Sequence, residues 1–161
     1  MKNYANEEII FNGCPGCAFA NHEFDLPCGR AFENDNFVIN QDWELPIEGM
    51  FIIAPKRHIE KMSELTEQER NEMFSLINKT IKVLQDNNIC DRFDLVFEEK
   101  ENNHFHVWMF PRHKWMLDMY KDIIGNIRNI FNYAKSNLRN EETYKRIYEI
   151  NSIVRDKLKN D

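Results

Sequence analysis

The chain has 161 residues, 42% of them hydrophobic, and a formal net charge of −6 at pH 7. This length is enough for one domain with a sizeable core. The acidic balance argues against broad binding of a nucleic-acid backbone, which needs clustered lysine and arginine. No apolar run approaches the ~18 residues of a membrane span, and the polar N-terminus does not resemble a signal peptide. The sequence therefore predicts a cytoplasmic protein without a membrane segment.

The first thirty residues are rich in glycine and proline, so we expect mostly turns there, with little regular structure. Within them, Cys14 and Cys17 have the Cys-x-x-Cys spacing that lets two thiolates bind one zinc ion. This spacing alone also fits a redox pair or an incidental turn. Two further ligands from elsewhere in the chain would favour a zinc site over these two alternatives.

Residues 37–39 and 49–54 predict two strands, close enough in sequence to form an antiparallel pair. Thr66-Glu67-Gln68-Glu69 has the form of a capping box and predicts a helix that runs to about Asp86. Two more strands are predicted at 94–97 and 105–110, joined as a hairpin by the polar turn 98–103.

The segment after Pro111 is predicted to be a helical pair. Its first helix has apolar residues at every fourth position, and its second runs from about 141 to 158. The apolar stripe favours packing against the body of the domain, and the alternative is a face that binds a partner. The stripe comprises Trp115, Met119, Ile123, Ile127 and Phe131.

Two histidines, His104 and His106, alternate in the last predicted strand, so both side chains should lie on one face. Several imidazole nitrogens on one strand face all need partners, which an ordinary core seldom supplies. The two histidines therefore indicate either a functional site, or histidines that lie on the surface or are hydrogen-bonded for structural reasons.

The segments Ala54-Pro55-Lys56-Arg57-His58-Ile59 and His104-Phe105-His106-Val107-Trp108-Met109-Phe110-Pro111-Arg112 resemble the histidine triad (HIT) family. The similarity extends from about Cys14 to Arg112 and includes the Cys-x-x-Cys pair and the capped helix. It implies an α+β, HIT-like fold in which an antiparallel sheet of about five strands is packed with helices. We predict that this domain spans 1–113 and that a C-terminal helical extension, 114–161, packs on it.

The resemblance assigns the three triad positions to His104, His106 and Trp108, so the third histidine is missing. In the family the second histidine attacks the α-phosphate and forms a nucleotidyl-histidine intermediate, which implies that role for His106. A neutral imidazole held in one tautomer suits this chemistry near pH 7. The Trp108 indole has one N–H and cannot shuttle a proton, so it either donates to a phosphate oxygen or fills the pocket.

In zinc-containing members of the family, the metal is held by residues that correspond here to Cys14, Cys17, His58 and His104. Two cysteines and two histidines form a closed, structural type of zinc site, which would fix the turn-rich N-terminus to the sheet. The alternatives are a zinc-free turn, or a local site that uses His22 or Cys28.

The resemblance also implies that Asp42 binds the ribose hydroxyls, although an aspartate in a turn after a strand is common. The Gly-rich segment that precedes the triad in many members is replaced by acidic residues, whose charge would repel a polyphosphate. Lys100, Asn102 and Asn103 are the remaining candidate donors there. Arg112 and His113 lie either near a phosphate or on the solvated surface.

The resemblance implies a nucleotide hydrolase or nucleotidyl transferase that acts through His106 on a dinucleoside polyphosphate or another nucleoside-phosphate ester. The second hypothesis is a non-catalytic nucleotide-binding or adaptor protein that keeps the fold and the zinc. The third is a zinc-stabilised interaction module that works through the helical tail from Trp115 onward. The resemblance further implies a homodimer paired through the central helix and edge strands.

Overall fold

The computed structural model describes residues 1–97, 99 and 103–159. Its fold is α+β, with one antiparallel sheet in the order β1-β2-β3-β5-β4 and helices packed on it, as predicted. The strands are β1 (Phe32–Glu33), β2 (Phe37–Gln41), β3 (Phe51–Pro55), β4 (Phe93–Phe97) and β5 (Val107–Pro111). The helices are α1 (Pro15–Ala20), α2 (Glu67–Asp86), α3 (Lys114–Met119), α4 (Ile127–Asn137) and α5 (Glu141–Lys159).

The two faces of the sheet have different roles. Ile39 and Ile53 are paired across β2 and β3, and they belong to a buried core that includes residues of α2 and α5. On the opposite face, Asn40, Ile52 and Trp108 form one row across β2, β3 and β5. Successive side chains of a strand point to opposite faces, so this alternation separates a filled core from a face that is open to a ligand.

The central helix begins as its sequence predicts. Thr66 is the N-cap residue, its Oγ1 accepts a hydrogen bond from the Glu69 backbone N–H at 3.2 Å, and the Glu69 carboxylate accepts from the Thr66 N–H at 2.7 Å. This reciprocal pair satisfies two backbone donors at the start of the helix. The antiparallel pairing of β2 with β3 and of β4 with β5 also confirms the sequence prediction.

Two sequence predictions near the histidines are wrong in detail. Residues 15–20 form α1 rather than turns, because Pro15 occupies the first helical turn, where its fixed φ suits a helix. The last strand begins at Val107, so His104 and His106 precede it. The Phe105 N–H donates to the Ile59 carbonyl at 2.8 Å, outside the β3–β5 ladder, which explains the later start. Of the predicted turn 98–103, residues 98 and 100–102 lie outside the described residues.

The first helix of the predicted tail is interrupted, so three α-helices and a short 3-10 helix (Ile124–Asn126) replace the expected pair. After α3 the chain becomes extended at Tyr120 (φ −133°, ψ 124°), and the Asp122 side chain accepts a hydrogen bond from the Gly125 N–H at 3.0 Å. Such local side-chain bonds compete with continued helix. Residues of α4 and α5 are buried in all three hydrophobic clusters, while the boundary between 113 and 114 stays a prediction.

None of the helices in the described ranges combines the length and the apolar character needed to cross a bilayer.

Candidate functional site

Four side chains from distant parts of the sequence converge on one point. Cys14 and Cys17 come from the start of α1, His58 from the segment after β3, and His104 from the segment before β5. One ligand atom of each lies within 4.8 Å of all the others. This is the complete Cys2His2 group implied by the resemblance, and neither His22 nor Cys28 belongs to it.

The distances within this cluster fit a tetrahedral metal site. His104 Nδ1 lies 3.5 Å from Cys14 Sγ and 3.6 Å from Cys17 Sγ, and His58 Nδ1 lies 3.4 Å from Cys17 Sγ. Zinc bonds of about 2.3 Å to sulfur and about 2.0 Å to nitrogen, at tetrahedral angles, separate the two ligand atoms by roughly 3.5 Å. The donor types and their spacing therefore fit zinc.

The surroundings of His104 prepare it as a ligand. Its Nε2 lies 2.7 Å from the Pro55 carbonyl, and donation there leaves Nδ1 unprotonated toward the thiols. Burial, together with the nearby His58 and His106, lowers the pKa of His104 and keeps the ring neutral. Burial and the Cys14 thiol raise the pKa of Cys17 to about 11, so its thiolate depends on a bound cation.

Gly16 packs directly against the His104 ring. A Cβ at this position would lie 2.4 Å from His104 Cγ and 2.6 Å from Nδ1. We expect Gly16→Ala to displace His104 and lower the zinc affinity at least about tenfold, since a ligand must be held in position to bind well. Zinc competition with a chromophoric chelator measures this effect.

Gly13→Ala is the matched control, because its added methyl group would meet no atom within 4 Å although its φ of +75° is strained. The control should lose some stability and keep its zinc affinity. Equal loss of zinc in both variants would contradict the role given to the contact between Gly16 and His104.

A cavity of about 330 Å³ adjoins this cluster. It lies on the open face of β2, β3 and β5, with walls from α1 and α4. Four of the residues predicted on the substrate side line it. They are Asp42, Asn103, His106 and Trp108.

His106 is half-buried in the wall of the cavity, and its Nδ1 lies 2.9 Å from the His104 carbonyl. Donation from Nδ1 fixes the tautomer in which Nε2 is unprotonated. The Trp108 ring lies 5.6 Å from His106 and makes an edge contact with Phe131 of α4 at 5.5 Å between centroids. The indole at the third triad position is thus held between His106 and the C-terminal segment.

Asp42 follows β2 and is 6% exposed. Its Oδ1 accepts the backbone N–H groups of Glu44 and Leu45, both at 2.9 Å, so the carboxylate stabilises the turn while it lines the cavity. Burial raises the pKa of Asp42 to about 6, against the opposing effects of those N–H groups and of Lys135. Asp42 therefore stabilises the turn after β2 and lines the cavity at the same time.

This raised pKa predicts a specific pH dependence of folding. The protonated form of Asp42 is favoured in the folded state, so its stabilising contribution is present at pH 4 and is lost as the pH rises to 7. Asp42→Asn keeps an oxygen acceptor without the charge. We expect the free energy of unfolding of the variant, relative to wild type, to rise by about 2 kcal/mol between pH 4 and pH 7. Denaturant titrations at both pH values measure this difference, and a constant difference would contradict the prediction.

Arg112 and His113, the two residues that follow β5, are bonded to other protein groups and do not line the cavity. Arg112 forms a two-point ion pair with Asp94 at 2.7 and 2.8 Å, and His113 Nε2 lies 2.7 Å from the Glu48 carbonyl. Neither lines the cavity, so the reading in which they approach a phosphate is not supported. Lys100 and Asn102 lie outside the described residues.

Several residues in the cavity wall were not identified from the sequence, among them Trp43, Phe131 and Lys135. Phe131 was assigned to a packing stripe, and nothing in the sequence around Lys135 distinguishes it from a surface lysine. The contribution of α4 depends on how the chain folds back over the sheet.

The fold and the cluster define an α+β protein with a Cys2His2 group beside a cavity on its sheet. Residues 23–115 match the family model of the HIT domain, which is more than half of the chain. The chain therefore belongs to the HIT family.

An uncharacterised HIT-like protein from Methanocaldococcus jannaschii is 24% identical over 122 residues, which cover 73% of this chain and 91% of that protein. Two solved structures share the fold, each with a TM-score of 0.63. A zinc-bound histidine triad family protein from Mycobacterium smegmatis is 14% identical, with 91% of this chain and 94% of that chain covered. A hypothetical histidine triad nucleotide-binding protein from Sulfolobus tokodaii is 19% identical, with 91% and 93% covered.

Proposed function

We propose that this protein binds a nucleotide in the cavity and hydrolyses or transfers the nucleotidyl group of a dinucleoside polyphosphate or another nucleoside-phosphate ester. The observation that carries the proposal is the position of His106 in the cavity wall, with its Nδ1 on the His104 carbonyl. The name of the Sulfolobus tokodaii structure, a nucleotide-binding protein, is consistent with the same ligand class.

In the proposed reaction, His106 Nε2 attacks the α-phosphorus. A nitrogen–phosphorus bond forms as the bond to the leaving oxygen breaks, and the leaving phosphate departs with the bonding electron pair. Water, or the acceptor in a transfer, then attacks the phosphorus and releases the mononucleotide or its transfer product. In this second step the nitrogen–phosphorus bond breaks and its electron pair returns to Nε2, so the His106 ring becomes neutral, while the attacking water or acceptor loses its proton to solvent.

The other cavity residues have proposed supporting roles. The Asp42 carboxylate accepts hydrogen bonds from the ribose hydroxyl groups. The side-chain amide of Asn103 and the indole N–H of Trp108 donate hydrogen bonds to phosphate oxygens. A well-placed donor of this kind contributes roughly 3 kcal/mol to a transition state. The aromatic rings of Phe19 and Trp43 offer apolar walls for a base.

We propose that Cys14, Cys17, His58 and His104 hold a structural zinc ion. Bound there, zinc supplies a rigid four-way link rather than a reacting group, because a closed set of protein ligands leaves no open position. The link joins α1 to the segment after β3, through His58, and to the segment before β5, through His104. His104 is two residues before His106. The zinc-bound relative from Mycobacterium smegmatis supports this assignment.

The reaction is tested by incubating the zinc-loaded protein with diadenosine tetraphosphate and, separately, with adenosine 5′-phosphoramidate. The proposal expects release of mononucleotide from at least one of them at a rate proportional to protein concentration.

The second candidate is a non-catalytic nucleotide-binding protein, and Trp108 is the observation that favours it. Its indole occupies the third triad position and cannot accept a proton. Nucleotide binding in calorimetry without turnover across a panel of such substrates would decide for this candidate and against catalysis.

We further propose a homodimer in which a second copy covers the edge strand β4 and the exposed apolar side of α2. Large apolar side chains are exposed there, with Leu95 41%, Phe97 48% and Phe74 45% accessible. An uncovered strand edge beside apolar groups favours pairing with another chain.

Sedimentation velocity tests this proposal, and Phe97→Asp should convert the dimer to monomer. Leu117→Asp is the matched control, because Leu117 is equally exposed, at 49%, on α3. A monomeric wild type at tens of micromolar would contradict the dimer.

A cytoplasmic location is also proposed, because the cytosol keeps such thiols reduced and able to bind metal. We likewise propose that residues 114–161 form an extension that completes the domain spanning 1–113.

A further inference from the structure

An asparagine side chain lies among apolar residues on the floor of the cavity. Asn40 lines the cavity, as do Val38, two residues earlier on the same face of β2, and Ile52, its partner on β3. All three are buried, and Asn40 is only 1% exposed. Burial of an amide among apolar groups is costly unless its polar atoms find hydrogen-bond partners. The hydrogen bonds of the Asn40 amide therefore bear on what the cavity binds.

The protein satisfies only part of this amide. The Nδ2 group of Asn40 donates one hydrogen to the Gln41 carbonyl at 2.7 Å. Within the described residues, neither the second Nδ2 hydrogen nor Oδ1 has a bonding partner. The bond to Gln41 also fixes the orientation of the amide, because a flip would set two oxygen atoms against each other. Asn40 therefore presents a fixed acceptor oxygen at the cavity wall.

The base of a nucleotide bound as proposed lies over this part of the floor. His106 precedes β5, and β3 separates β5 from β2 in the sheet. Neighbouring strands are about 4.8 Å apart, so β2 lies about 10 Å from the strand that follows the proposed nucleophile. Phe19 and Trp43 line the cavity and pack in one cluster with Val38, with 5.6 Å between their ring centroids. Two aromatic rings beside β2 favour a planar ring of the ligand at this end.

We propose that Asn40 selects a 6-aminopurine, such as adenine, by accepting a hydrogen bond from its exocyclic amino group. An asparagine amide is complementary to adenine, which presents an N–H donor beside a ring-nitrogen acceptor. A 6-oxopurine such as hypoxanthine carries an oxygen at the position of the amino group, and the fixed Asn40 oxygen would repel it. This inference rests on the proposed nucleotide binding, and it makes Asn40 a specificity-determining residue.

Calorimetry on the full-length, zinc-loaded protein tests this selection without depending on turnover. Adenosine 5′-monophosphate and purine riboside 5′-monophosphate differ only in the 6-amino group. The amino group should strengthen binding about tenfold, because the nucleotide without it leaves the Asn40 oxygen unpaired in a desolvated site. Inosine 5′-monophosphate should bind at least as weakly as the purine riboside nucleotide.

Asn40→Leu removes the polar atoms and keeps a side chain of similar size. This variant should lower the affinity ratio of the adenosine and purine riboside nucleotides to about one, by weakening the adenosine nucleotide selectively. Asn36→Leu is the matched control. Asn36 immediately precedes β2, its Nδ2 donates to Glu72 at 2.7 Å, and it is not among the residues that line the cavity. The control should keep the wild-type ratio.

The comparison of nucleotides on wild type does not depend on the folding of any variant. Equal affinity of wild type for the adenosine and purine riboside nucleotides, or binding of inosine 5′-monophosphate as tight as that of the adenosine nucleotide, would overturn the role of Asn40 and leave the proposed nucleotide binding intact. An unchanged ratio in an Asn40→Leu protein that still binds zinc and nucleotide would also overturn it. Failure of wild type to bind any of the three nucleotides would overturn both proposals.

Discussion

Replacing Cys14 by serine should release the bound metal and lower the thermal midpoint of the protein by about 10 °C. Cys14 is one of four proposed zinc ligands, whose potential ligand atoms lie within 4.8 Å of one another. A ligand that binds only the folded state stabilises it by about 4 kcal/mol when its free concentration is a thousandfold above Kd. In a domain of this size, 1 kcal/mol corresponds to about 2–4 °C. Metal analysis and differential scanning calorimetry measure the two effects.

Cys90→Ser is the matched control for this experiment. Cys90 is buried and lies outside the cluster, and its Sγ donates to the Arg92 carbonyl at 3.2 Å, a bond that a serine hydroxyl can keep. The control should retain one zinc per chain. Full zinc retention by Cys14→Ser would contradict the assignment of the cluster, and a chelator should lower the midpoint of wild type but not that of Cys14→Ser.

Replacing His106 by alanine should reduce turnover by about a thousandfold or more, because it removes the atom that is proposed to form the bond to phosphorus. The affinity for a mononucleotide should change only a few-fold, since the other cavity residues stay in place. Single-turnover rates and calorimetry on the same preparation separate the two quantities.

His22→Ala is the control for His106→Ala. His22 is 57% exposed in its side chain and lies 3.2 Å from Glu33, away from the cavity lining. Its variant should keep the wild-type rate. If His106→Ala kept a rate within tenfold of wild type, the nucleophile assignment would be wrong.

The parts of the fold that local signals determine were predictable. The capping box at Thr66 and the apolar positions after it fixed the start and extent of α2, and short β-rich segments bounded by polar residues located β2 and β3. Helix α1 was missed because Pro15 and Gly16 favour a turn in isolation. In the structure Pro15 starts a helix, and Gly16 provides the space for the His104 ring.

The candidate site was only partly predictable for the same physical reason. The spacing of Cys14 and Cys17 indicated half of a metal site, and the other two ligands came from the family resemblance, because local patterns do not show that His58 and His104 meet them. The contribution of α4 to the cavity depends on a chain reversal after α3. Local periodicity cannot distinguish a residue such as Lys135, which lines the cavity, from one that faces solvent.

The most direct test of the central claim is the intact mass of the protein quenched during turnover of diadenosine tetraphosphate. The account predicts a population heavier by one adenylyl group, located on His106 by peptide mapping, labile in acid, and lacking in His106→Ala. Turnover without any adduct on His106 under rapid quench, or an adduct on a different residue, would contradict it.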